Sequence, residues 1–78
     1  MKFVVKHEIK GRIRVHFCQK RMTFEEADTL QYYLNSQEMI TSSKVQERTQ
    51  DATICYTGDR ASVIALLRSF HYEQVDVP

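Results

Sequence analysis

From Phe3 to Phe17 the chain alternates. The odd positions hold Phe3, Val5, His7, Ile9, Gly11, Ile13, Val15 and Phe17, whereas the even positions between them are polar apart from Val4. A period of two puts one set of side chains on each side of the backbone, which is a strand signature and not a helical one. Gly11 interrupts the run. A glycine inside a strand pattern marks a bulge or bend, so the pattern predicts two strand arms, 2–9 and 12–18, joined by a kink. Ile13, Val15 and Phe17 form the cleaner inward stripe, which makes Arg12–Cys18 the predicted central strand. Whether Lys2–Ile9 joins the sheet is left open by the pattern.

The rest of the chain reads as two helices and further strands. Thr23-Phe24-Glu25-Glu26 is a capping box, with Thr23 as N-cap and Glu26 three residues on, and an acidic first turn that suits the positive end of a helix dipole. The helix it opens is predicted over 24–36, with Ala27, Leu30, Tyr33 and Leu34 on one face. Residues 42–48, rich in Ser and charge, read as a polar edge strand. After a tight turn at Gln50-Asp51, Ala52, Ile54 and Tyr56 alternate with Thr53, Cys55 and Thr57 as a second good strand. Gly58-Asp59 punctuates the chain, with Asp59 as N-cap of a helix over Arg60–Phe70. Val75-Asp76-Val77 is predicted as a short last strand.

One sheet and two amphipathic helices pack most economically as two layers, with both helices on one face. Right-handed crossovers then give a single α+β domain over residues 1–78: a ferredoxin-like βαββαβ sandwich with an antiparallel sheet of order 4-1-3-2. In that arrangement Arg12–Cys18 and Ala52–Thr57 are central neighbours, Cys55 lies opposite about Arg14, and one sheet face is left open. The two cysteines are then about 13 Å apart at strand rise, too far for a disulfide.

Charge changes this picture. Eleven basic and ten acidic residues give a net charge of +1. Yet residues 1–21 carry seven Lys or Arg against Glu8 alone, and the remainder is mildly acidic. The open face is therefore cationic through Arg12 and Arg14. Such a face either steers an anionic partner or simply keeps the sheet soluble. Nucleic acid is not favoured, because the open face offers no aromatic side chain on which bases could stack. No run of eighteen apolar residues and no leader-like start is visible, so the chain reads as cytoplasmic.

Catalytic signatures are missing: no Gly-rich phosphate loop, no nucleophile–base arrangement and no HExxH motif. The chain alone does not read as an enzyme, and the carboxylates fall mostly where helix capping explains them. Soft metal donors are sparse. His16 and Cys18 are two residues apart on one strand and Met22 follows in the next loop, a conceivable site for copper(I) or zinc. The competing reading makes Cys18 a half-buried thiol at a strand end and Met22 a hydrophobic staple against Ala27.

The phrase Ile9-Lys10-Gly11-Arg12-Ile13-Arg14-Val15-His16 resembles the opening of a divergent class of heavy-metal-associated domains, found at the N-terminus of bacterial heavy-metal-translocating P-type ATPases. The order of elements and the Gly58-Asp59 helix start are similar as well. Ordinary members of that family bind copper(I), zinc or cadmium through a Met-x-Cys-x-x-Cys loop. This chain has Cys18-Gln19-Lys20-Arg21-Met22 at the matching place, with Arg21 where a second thiol would fall. The resemblance thus implies a cytosolic accessory or regulatory domain of a metal-transporting ATPase in the bacterial cell membrane, with weak or absent metal binding. Its partners would be other domains of the parent ATPase, or lipid headgroups met through the basic face. The alternative is a free-standing module that binds an anionic partner or dimerises through its sheet.

Overall fold

A computed structural model describes residues 1–75. Its elements run β1 (Phe3–Ile9), β2 (Arg12–Phe17), α1 (Phe24–Asn35), β3 (Ile40–Gln46), β4 (Asp51–Tyr56) and α2 (Arg60–Arg68), followed by a short 3-10 turn at Tyr72–Gln74. The four strands form one antiparallel sheet of order β1-β2-β4-β3. The fold is the expected α+β sandwich, compatible with a ferredoxin-like arrangement.

The core follows the predicted stripes. Ile13, Val15 and Phe17 from β2 and Ala52 and Ile54 from β4 are fully buried, together with Leu30 and Leu34 from α1 and Val63 and Leu67 from α2. Burying each of the larger side chains contributes roughly 1.5–3 kcal/mol, and these residues fix which face of the sheet the helices cover. The capping box forms as expected. The Glu26 backbone N–H donates to Thr23 Oγ1 at 3.1 Å, and the Thr23 N–H donates to Glu26 Oε1 at 3.0 Å. The second helix is capped by Asp59, whose carboxylate accepts from the Ala61 N–H at 3.1 Å.

The detail of strand order differs from 4-1-3-2 at one edge. The three strands β2, β4 and β3 occupy the expected 1-3-2 positions, but the place beside β2 is taken by β1. Gly11 explains why. Its φ is +82°, so Lys10-Gly11 is a two-residue reversal between the paired residues Ile9 and Arg12, and not a kink in one long strand. Positive φ at the second turn position is the conformation glycine adopts without penalty. The expected last strand, Val75-Asp76-Val77, lies outside the described residues except for Val75.

The alternation within β1 is also broken. Phe3 and Val5 pair with Phe17 and Val15, but the register then shifts between Val5 and His7, so that His7 pairs with Arg14 and Glu8 with Ile13. A bulge inserts one residue and exchanges the two faces beyond it. His7 and Ile9 therefore lie on the open side of the sheet, while Glu8 lies on the helix side, where its carboxylate accepts from Arg60 Nε at 2.8 Å.

Candidate functional site

The open face is built by β2 and its two neighbours. His7, Arg14 and Thr53 are cross-strand partners in one row, and Arg12 pairs with Cys55 in the next. His7, Arg12, Arg14 and Thr53 together line a shallow depression of about 70 Å³. Both arginines are exposed, and among the described residues neither has a carboxylate within ion-pair distance. The core residues on the other faces of the same strands hold this row in place, because their parity cannot slip without exposing Ile13 and Ile54.

His16 does have a partner. Its Nδ1 lies 2.8 Å from Asp51 Oδ1, and the two residues are directly opposite in the β2–β4 register. The sequence reading missed this pair because it placed Cys55 opposite Arg14. The structure corrects that register by two residues: Cys55 lies opposite Arg12, and Asp51 belongs to the strand, not to the turn before it. The reason lies at the far end of β2. The Phe17 N–H donates to the Gln50 carbonyl at 2.9 Å, while Gln50 Nε2 donates to the Phe17 and Gln19 carbonyls at 3.0 and 2.6 Å. These contacts seat the β3–β4 turn on the end of β2 and set the register. With Cys55 opposite Arg12, six strand positions separate it from Cys18, roughly 20 Å at strand rise, and both thiols are free.

The loop after β2, where metal donors were sought, is a hydrogen-bonded joint. The Tyr72 hydroxyl donates to Gln19 Oε1 at 2.8 Å, and Gln19 Nε2 donates to the Arg21 carbonyl at 2.6 Å and to Glu26 Oε1 at 3.3 Å. Partial burial is the main cause that pushes the Tyr72 hydroxyl up to about 12, with the nearby Glu26 carboxylate adding to the shift. Met22 is only 4 % exposed and belongs to the same core cluster as Ala27, as a hydrophobic staple beside the N-cap does. Cys18 is exposed at the end of β2, and His16 is engaged by Asp51. The three candidate donors are thus differently committed: one inside the core, one hydrogen-bonded on the open face, one facing solvent. Among the described residues no three His, Cys, Asp or Glu side chains gather in a group that could hold a metal ion. Met22, packed into the core, is not presented to the other two donors as a ligand.

Among the described residues no helix is long and apolar enough to cross a membrane. Comparison of the chain with protein-family models, with curated proteins and with solved structures finds no match.

Proposed function

We propose that this domain is a non-catalytic docking module that presents the open face of its sheet to an anionic partner. The supporting observation is the pair Arg12 and Arg14, set beside His7 on an uncovered face with no carboxylate to neutralise them among the described residues. Uncompensated guanidinium groups on a rigid sheet suit planar recognition of carboxylate or phosphate groups. The resemblance carried by Gly11-Arg12-Ile13-Arg14 supplies the setting: an accessory or regulatory domain of a heavy-metal-translocating P-type ATPase. The partner is then another domain of that ATPase, or the headgroups of the membrane it spans. Metal ions are cargo for the parent, and binding to Cys18 with His16 is weak or absent because Met22 is committed to the core.

Titration of the ¹⁵N-labelled protein with phosphatidylglycerol vesicles, and separately with polyglutamate as an acidic protein surface, tests this reading. Amides of β2 and β4 shift on binding, the effect weakens as salt is raised, and Arg12→Ala with Arg14→Ala abolishes it. The arm that saturates at lower concentration identifies lipid or protein as the source of the anion. Shifts confined to other surfaces, or unchanged in the double variant, overturn the reading.

A further inference from the structure

Strand β1 is the least covered element of the sheet. None of its residues is buried, and Val4, Val5 and Ile9 are 48 %, 38 % and 50 % exposed. The sheet of the described residues ends at β1, so among them its outer backbone edge has no strand partner. Along that edge runs a cavity of about 760 Å³. One wall is residues 1–5, of both parities as at a strand's edge, with Cys18 at the end where its N–H donates to the Lys2 carbonyl. The other wall is Arg60, Ile64 and Arg68, which at a spacing of four form one stripe of α2. Lys2 and Arg68 have no carboxylate partner among the described residues, and Arg60 engages Glu8 through Nε, leaving its terminal nitrogens as donors.

We propose that this groove takes an acidic, extended segment of a partner protein, added to the sheet as a further strand beside β1 and carrying the pattern acidic-x-aliphatic-x-acidic. Strand addition supplies main-chain hydrogen bonds to an unpaired edge, and alternate side chains supply specificity. The dimensions agree. Arg60 and Arg68 are separated by about 12 Å along the helix at 1.5 Å per residue. Side chains four apart on one face of a strand are separated by about 13 Å. An aliphatic side chain at the centre then covers Ile64, and the two carboxylates reach the guanidinium groups at either end.

Charge selects this occupant over a second copy of the chain. Antiparallel pairing of two β1 strands about Lys6 sets Lys6 against Lys6 and Lys2 against Lys10, like charges directly opposite, and pairing about Val5 avoids them only by setting Lys2 against Glu8. The only acidic residue of β1, Glu8, is already held by Arg60. This surface is separate from the open-face row, and Arg12 and Arg14 take no part in it.

The test is an NMR titration of the ¹⁵N-labelled protein with the blocked peptide Thr-Glu-Thr-Val-Thr-Glu-Thr. Saturable shifts are expected in Phe3–Ile9 and Arg60–Arg68, with none from the same peptide bearing Lys in place of Glu. Arg68→Glu weakens binding of the acidic peptide by about tenfold, the worth of one close charge pair, and admits the lysine peptide; this exchange separates recognition from loss of folding. Arg12→Ala with Arg14→Ala leaves the affinity unchanged, so failure here is distinguishable from failure of the open-face reading. No shifts at several millimolar peptide, shifts on the open face instead, or indifference to Arg68→Glu overturn the proposal. So does sedimentation showing a dimer whose formation moves the same β1 amides.

Discussion

Among the described residues, Gln50 is the only non-glycine residue with a positive φ, 61°, and its side chain shows why the strain is tolerated. It closes the end of β2 with two hydrogen bonds to carbonyls and fixes the β2–β4 register that brings His16 to Asp51. Replacing it by Ala removes those bonds and keeps the strained backbone, so Gln50→Ala destabilises by about 1–3 kcal/mol. Gln50→Gly relaxes the backbone and costs less. Urea unfolding of the two variants resolves the difference, and equal loss in both contradicts it. Tyr72 carries the second residue-scale prediction. Its hydroxyl is held protonated up to about 12 by partial burial, with Glu26 adding to the effect. The folded state therefore binds this proton more tightly than the unfolded chain does, and the associated stability is complete below pH ~10 and lost as pH rises towards 12. Tyr72→Phe costs roughly 0.5–1.5 kcal/mol at neutral pH through the lost bond to Gln19, and it flattens that alkaline decline. Thermal melts across pH 9–12 read both effects.

At the scale of elements, α1 and α2 were legible because capping and apolar spacing agree: Thr23 with Glu26, and Asp59 with Val63 and Leu67. The stripes of β2 and β4 were legible for the same reason, since parity and burial point one way. The N-terminal arm was not. Its odd–even pattern continues across Gly11 and across the bulge near Lys6 without a break in residue type, although the chain reverses at one and changes face at the other. Periodicity records which residues alternate; it does not record the sign of φ or an inserted residue. The register of β4 on β2 was hidden too, because Gln50 acts through its side chain from outside both strands. The hairpin assignment is checked by Gly11→Ala. An alanine Cβ meets only ordinary contact there, 3.6 Å from the Tyr56 carbonyl oxygen, so the cost is that of positive φ, about 1–2 kcal/mol. Faster amide exchange at β1 than at β4 accompanies it. A neutral substitution contradicts the turn.

For the whole molecule, the sheet has two unlike sides and two unlike edges. One side is sealed by both helices, and the other presents arginines without partners among the described residues. The two edge strands are equally long, but the β3 edge is polar, whereas the β1 edge is thinly covered and faces a cationic helix stripe. Of the candidate metal donors, His16 lies in β2 and Cys18 just past its end, exposed where a half-buried thiol was expected, while Met22 packs in the core with Ala27 as the staple reading of its place before the N-cap had it. The central claim is that the domain works by docking through the sheet and not by capturing metal in the Cys18–Met22 loop. It is tested most directly by NMR titration of the reduced protein with copper(I) and, separately, zinc, following the amides of His16 to Thr23. Docking predicts no saturable shift at one equivalent of either metal. Shifts that saturate at one equivalent, stay within that loop and vanish in Cys18→Ser contradict it.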